Sequence, residues 1–373
     1  MFTFDLSPKE LFEERSRQFV AWGIPKRTIH GVEARVTDMW ADGPGGWTYE
    51  WAQEAAKAKA ARDWMLAASL FGAARFPCLA APNRIAALRE QVECFIKASA
   101  AFPVQFERRL VPCKVRGDVV NIPVHVYSPK GAATLPTLLL SGGVDTGKME
   151  LHRIALLLTK LGKLRVVAMD MPGTAESDTP LTEDADGIYR TILDQFRGHG
   201  KIGILGVSFG GHWAAKLALR GDVDVAVNFG GPIGVNAIDG AYVAALPNGM
   251  PGIVGNAMRF GAYSNVAAAG NLLGRFSLRD QGLLDQADCV RMLAVNGDTD
   301  PYIPVADVEV FRRYPSAEVW LLRGLGHCAA EKITRVIPGM ITWLRKELHG
   351  ESMTTRLLHG MAMQILPAKR ESP

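Results

Sequence analysis

KIGILGVSFGG, residues 201–211, is the stretch on which the fold turns. An apolar run ends at Gly206, Ser208 stands inside G-V-S-F-G, and the helix-forming segment HWAAKLAL follows at once. A serine on a sharp turn between strand and helix needs small neighbours, and Gly206 and Gly210 supply them. Such a turn lifts the hydroxyl above the sheet and aims a helix N-terminus at it. Ser208 therefore reads as a nucleophile rather than as part of an ordinary glycine-flanked turn.

Outward from this run, short apolar segments alternate with helical stretches: 136–141, 164–170, 201–206, 223–229, 290–296 and 317–322. Segments apolar on both faces and separated by helices are what a parallel sheet covered on two sides requires. A doubly wound α/β core is expected over 103–349, preceded within it by two strand-like segments, 104–111 and 119–127, around Arg116-Gly117-Asp118. The spacing breaks between Phe229 and Val290. About 232–288 is too long for an ordinary connection and is expected to form a lid-like excursion over the sheet.

A serine hydroxyl needs a base, and the base needs an orienting carboxylate. The chain supplies them in the order Ser, acid, His. Asp300 follows the run RMLAVNG in DTDPYIP, and His327 follows VWLLR in GLGHC. Both fall at predicted C-terminal strand ends, where an open parallel sheet presents its ligand crevice. Asp298 is the rival acid, but it suits the capping of the turn, whereas Asp300 leads into a proline-bounded loop. His212, on the helix after Ser208, and Tyr302, beyond Asp300, are read as substrate-binding or auxiliary residues.

Acyl transfer also needs backbone N–H donors for an oxyanion, one of them usually from the residue after the nucleophile, here Phe209. The second is expected from the loop SGGVDTG at 141–147, with Val144 as donor. That loop resembles a Walker A phosphate loop from Gly142 to Lys148. Position 149 is Met, however, so the hydroxyl that holds Mg²⁺ is absent. Lys148 is read as an ordinary helix-start residue. The chemistry needs neither a metal nor an organic cofactor.

Residues 1–102 read as helices throughout. Ser7-Pro8-Lys9-Glu10 is a capping box with Gly23 as a stop; 48–76 forms one helical segment, and 81–100 puts Ile85, Leu88, Val92 and Phe95 on one face. Four such helices would form a cap. Residues 350–373 form a tail whose LLHGMAMQIL segment reads equally as a short amphipathic helix or a frayed end.

The 373 residues are 48% hydrophobic and 21% charged, with a net charge of +4 and no run of like charge, which argues against nucleic acid as a partner. No stretch approaches the ~18 apolar residues of a membrane span. The N-terminus lacks a signal-peptide pattern, and five scattered cysteines form no C-x-x-C pair. A cytoplasmic protein acting on a small-molecule carbonyl substrate is expected, and an all-helical cap offers surfaces for a homodimer.

SGGVDTGKME, VVAMDMPGTAESDTPLTED, GVSFGG, NGDTDPYIP and GLGHC together resemble the α/β-hydrolase superfamily, and specifically its FrsA-like group. That group includes 2,6-dihydroxypseudooxynicotine hydrolase and the fungal polyketide-shortening hydrolases of the yellowish-green type. GGWTYEWAQEA and FGAARFP resemble the group's N-terminal helical cap, so the resemblance spans nearly the whole chain. It implies a serine hydrolase that cleaves an ester, or a C–C bond beside an activated ketone, with Ser208 as nucleophile, Asp300 as acid and His327 as base. In the C–C-cleaving relatives an acidic residue follows the Gly-Gly of the oxyanion loop, and Asp145 occupies that place as the shorter acid. Ala175 replaces a glycine of the D-x-P-G-x-G-x-S pattern at 170–177. The substrate this implies is a bulky β-dicarbonyl or polyketide-like compound. The alternatives are a carboxylesterase or thioesterase, an acyl transferase or cyclase on the same three residues, and a non-catalytic binding protein on the fold.

Overall fold

The computed structural model describes residues 3–131, 134–260 and 266–369. The chain opens with helices α1 (Pro8–Ala21), α2 (Lys26–Glu33), α3 (Trp47–Ala60), α4 (Trp64–Arg75) and α5 (Pro82–Ser99). Strands β1 (Gln105–Val115), β2 (Asp118–Ser128) and β3 (Thr137–Ser141) follow, then α6 (His152–Lys160), β4 (Arg165–Met169), α7 (Asp186–Asp194), β5 (Ile202–Val207), α8 (Phe209–Arg220) and β6 (Val225–Phe229). The excursion carries α9 (Gly240–Ala245), α10 (Met250–Ala257) and α11 (Val266–Gly274). The chain then completes β7 (Arg291–Gly297), α12 (Ala306–Glu309), β8 (Ala317–Leu322), α13 (Ile333–His349) and α14 (Met353–Gln364).

The strands form one eight-stranded sheet in the order β1-β2-β4-β3-β5-β6-β7-β8. β2 runs antiparallel to both neighbours, and every pair from β4 to β8 is parallel. The inner strands β3 and β6 are buried at every position, which explains their uninterrupted apolar runs. With β5 in the middle of the sheet, the turn after it opens among the C-terminal ends of its parallel neighbours. This is the α/β-hydrolase architecture, with a helical region ahead of it.

The helical region holds five helices where the sequence suggested four. The segment 48–76 breaks at Arg62, which adopts φ 59°, and Asp63 then caps α4 by accepting from the Leu66 N–H at 3.2 Å. Alanine-rich flanks conceal this break, because their helix propensity runs through it. The tail resolves in favour of helix: Ser352 and Thr355 form a reciprocal capping box at the start of α14. Among the described residues no helix is long and apolar enough to cross a membrane.

The region packs through its own aromatic core, in which Phe12, Phe19, Trp47, Trp51 and Phe76 are fully buried. Met149 and Ala175, from loops of the sheet, belong to that core. At its other edge, His125 of β2 stacks on Phe95 of α5, with ring centres 5.0 Å apart and planes 8° apart. His125 is fully buried with neither ring nitrogen partnered, and burial, aided by the charge of Lys148, holds it well below the ordinary histidine value of 6.5. The unfolded chain takes up a proton near pH 6.5 that the folded protein refuses, so this site erodes stability as pH falls through that value. His125→Phe keeps the stacked ring and removes two unsatisfied nitrogens. It should raise stability by about 1–2 kcal/mol at pH 7.5 and by more at pH 5, measured by urea unfolding at both. An unchanged or lowered midpoint would show that the imidazole is worth its burial.

Candidate active site

Ser208 sits between β5 and α8 at φ 55° and ψ −131°, a conformation that a non-glycine residue holds only when its surroundings impose it. The surroundings are backbone. The Ser208 N–H donates to the Phe229 carbonyl at 2.8 Å, and the Ser208 carbonyl accepts from the Gly211 N–H at 2.7 Å. A Cβ on Gly206 would stand 1.9 Å from the Gly210 carbonyl oxygen, so no side chain fits at that corner.

The structure brings three of the residues singled out in the sequence into one chain of hydrogen bonds. His327 Nε2 lies 2.9 Å from Ser208 Oγ, and His327 Nδ1 lies 2.6 Å from Asp300 Oδ2. Because the carboxylate can only accept, Nδ1 carries a proton, and in the neutral ring Nε2 faces the serine as an acceptor. The Asp300 side chain is fully buried and takes three more donors: Asn296 Nδ2 at 2.7 Å, and the N–H groups of Tyr302 at 2.7 Å and Ile303 at 3.2 Å. Burial would raise its carboxyl, but the bond to His327 with its charge, Asn296 and Tyr302 together hold it below the usual carboxylate range. Burial likewise works against a charged His327. The neighbouring Cys328 and the hydrogen bond and charge of Asp300 outweigh it and hold the imidazole well above 6.5. Asp298 stands apart and accepts from the Gly324 N–H at 2.7 Å, a turn-closing role.

Three fixtures of this arrangement escaped the sequence reading. Asn296, fully buried near the end of β7, holds Asp300 with its amide N–H and takes the Cys328 N–H at 2.9 Å on its oxygen, so it ties the acid loop to the histidine loop. Asp307 accepts from the N–H groups of Ile233, Gly234 and Val235 at 2.7, 3.0 and 2.9 Å, which pins the loop after β6. Gly143 faces Ser208: a Cβ there would lie 3.0 Å from Ser208 Oγ and 3.2 Å from the Phe209 nitrogen. Only the last carried a signal, the Gly-Gly pair after β3.

Ser208 and His327 open on a cavity of about 70 Å³, several times the ~10–15 Å³ that one water needs. Val144, Phe209, His212 and Tyr302 line it, with Ile233, Leu246, Met250 and Phe276 among its apolar walls. Asp145 is not among the lining residues. Its carboxylate meets Arg15 of α1, Nη2 to Oδ2 at 3.1 Å, and accepts on Oδ1 from the Thr146 hydroxyl at 2.9 Å. Gln18 of α1 donates to Thr146 at 2.8 Å, and Glu150 pairs with Arg75 of α4 at 2.7 Å. Tyr302 sits edge-on to His327 and donates its hydroxyl to Glu14 of α1.

Lys148 differs from its expected role. It lies ahead of α6, fully buried, with its ammonium on Asp170 and Glu176, the latter at 2.8 Å, and its N–H on Asp170 at 2.7 Å. The lysine of the near-Walker motif is thus a buried cross-link between two loops. Its carboxylate partners come from the loop after β4, a pairing that local spacing does not announce.

Residues 31–349 match the sequence model of the FrsA-like family, described as esterase FrsA-like. The chain belongs to the FrsA-like esterase family. It is an α/β-fold hydrolase. Esterase FrsA of Vibrio parahaemolyticus is 24% identical over 326 residues, covering 79% of this chain and 77% of that protein. The FrsA of Photobacterium profundum is 25% identical, with 72% and 69% covered. Among solved structures, wild-type AbyA5 superposes with a TM-score of 0.82 at 21% identity, over 96% of this chain and 99% of its own. The 2,6-dihydroxy-pseudo-oxynicotine hydrolase gives 0.68 at 20%, over 89% and 95%. At these identities the two structures bear on the fold, and both extend over the helical region as well as the sheet.

The FrsA-like chain buries a cation–carboxylate pair, Arg15–Asp145, where helix and loop meet. Removing one partner of such a pair strands the other in a poor solvent. Arg15→Met should cost about 3–5 kcal/mol, and the double variant Arg15→Met, Asp145→Leu should recover most of that loss in a thermal-unfolding mutant cycle. Additive losses would mean that the two side chains do not compensate each other.

Proposed function

We propose that this protein is a serine hydrolase that passes the acyl group of a neutral carbonyl substrate through Ser208 to water. The observation that carries the reading is the continuous relay Ser208–His327–Asp300 at a strained turn that opens on an apolar cavity. Ser208 Oγ attacks the carbonyl carbon as His327 Nε2 takes its proton. The developing oxyanion is received by the N–H groups of Phe209 and Val144, in the space that the missing side chain of Gly143 leaves open. His327 then gives its proton to the leaving group. In the second half it deprotonates a water that releases the acid, and Asp300 holds the ring and stabilises its charge throughout.

The leaving group separates two readings. Cleavage of an ester needs nothing further, whereas a carbon leaving group calls for an additional acid or base, the part suggested for Asp145. Both Asp145 oxygens are engaged, by Arg15 and Thr146, which favours hydrolysis of a carboxylic ester. The second reading, hydrolysis of the C–C bond of a β-dicarbonyl or polyketide-like compound, rests on this buried carboxylate following the oxyanion segment directly. Asp145→Asn should leave hydrolysis of p-nitrophenyl butyrate within about threefold of wild type if the acid serves only the cap contact. A much larger loss on a β-diketone than on the ester would return the argument to C–C cleavage.

Ser208→Ala should abolish both ester turnover and labelling by a fluorophosphonate probe, and His327→Ala should abolish turnover with the fold retained. Asp300→Asn should lower kcat by about 10⁴, because the imidazole is left in the wrong tautomer, while Asp298→Asn should keep most activity. Wild-type protein that takes up no probe would defeat the acyl-enzyme altogether.

The raised position of His327 sets the pH profile. A base held above 6.5 stays protonated, and idle, until the pH passes its own value, so kcat/KM should rise with pH along a limb centred above 6.5. In Asp300→Asn that limb should move to lower pH. A limb at or below 6.5 in the wild type would contradict the electrostatic coupling described here.

A further inference from the structure

His212 lies one helical turn beyond the nucleophile, at the start of α8 and on the cavity wall. Its ring is packed among Phe209, Trp213 and Phe276, with centres 5.5, 4.8 and 5.7 Å away, and only 1% of the residue is exposed. Nδ1 stands 3.1 Å from the Pro232 carbonyl, which can only accept, so Nδ1 bears the proton. That bond fixes the tautomer and leaves the lone pair on Nε2. Nε2 is buried and has no hydrogen-bond partner. Burial pushes the ring down to about 3, so at neutral pH it is uncharged.

A wall that is otherwise hydrocarbon therefore carries one bare acceptor. The other polar groups around it are already engaged: the Tyr242 hydroxyl donates to the Tyr302 carbonyl at 2.8 Å, and Tyr302 is held by Glu14 and Asn248. A phenylalanine would fill the same aromatic niche without leaving a buried acceptor unmatched, a mismatch that costs stability. The structure pays that cost beside the nucleophile, where a ligand can relieve it.

We infer that His212 is a specificity-determining residue whose Nε2 accepts a hydrogen bond from a hydroxyl on the acyl part of the substrate. This rests on the acyl-enzyme reading above and names the class of acyl group. Ser208 caps α8 and His212 lies four residues further on, about 6 Å along the axis. The donor accordingly sits two or three bonds from the carbonyl carbon, as the hydroxyl of a 3-hydroxyacyl group does. Anionic acyl groups are disfavoured at this position, because the Nε2 lone pair repels them and no Lys or Arg among the described residues lines the cavity.

The test compares three p-nitrophenyl esters of equal chain length: butyrate, 3-hydroxybutyrate and 3-methoxybutyrate. Wild-type enzyme should show kcat/KM for the hydroxy ester at least about tenfold above the other two, since a site built to bond a hydroxyl discriminates against analogues that lack it. In His212→Phe the three values should converge, mainly by loss on the hydroxy ester, whereas His212→Gln, which can still present an oxygen, should keep part of the preference. Ratios between substrates are independent of the folded fraction, so a poorly folding variant does not obscure the outcome. Equal values for hydroxy and butyryl esters in the wild type would overturn the inference while leaving the hydrolase intact. Equal preference for hydroxy and methoxy esters would also overturn it, because the methoxy oxygen cannot donate. No turnover of any of the three, with no fluorophosphonate labelling, would instead remove the acyl-enzyme on which it rests.

Discussion

The close approach of backbone segments around Ser208 is the constraint on which the rest of the molecule depends. The turn after β5 meets the start of α8 with no room for a side chain at Gly206, and the loop after β3 touches Ser208 through Gly143. Such contacts allow no slack. They hold Ser208 at a φ that its own side chain disfavours, and they set the Phe209 nitrogen beside the space at Gly143. A fully buried parallel sheet can carry this strain because β3, β5 and β6 are fixed in register on both sides.

The loop after β3 has two jobs at once. One edge faces Ser208, and the other is the platform for the helical region, through Asp145 to Arg15, Thr146 to Gln18 and Glu150 to Arg75. Tyr302 does the same from the acid loop, with its ring against His327 and its hydroxyl on Glu14. Helix α1 therefore touches both segments that frame the relay. It reaches them from behind, since neither Glu14 nor Arg15 lines the cavity.

Much of this was legible in the sequence because the deciding signals are local. The glycine-flanked serine, the apolar runs of the sheet and the acid and histidine after the last two strands each announce themselves within about ten residues. What stayed hidden depends on partners far away in the chain. Nothing near Asn296 shows that it will span the acid and histidine loops, and nothing near Lys148 shows that Asp170 and Glu176 await it. The break between α3 and α4 was obscured for a different reason: alanine stabilises helix on both sides of Arg62, and a lone aspartate cap is a weak counter-signal. The cavity was also out of reach of the sequence, because its walls join the excursion helices and the loop that Asp307 pins to the turns around Ser208 and His327.

The buried charges between helices and loop bear on how such an enzyme diverges. A cap transplanted from a relative without a cation at position 15 and another at 75 would leave the Asp145 and Glu150 side chains without their partners in a dry interface. Recombination across residue 102 is therefore penalised unless both sides change together. Drift is cheaper at apolar wall positions such as Leu246 and Met250, which carry no ion pair across that boundary. Changes in the wall contributed by α9–α11 would thus leave the contact between cap and framework intact.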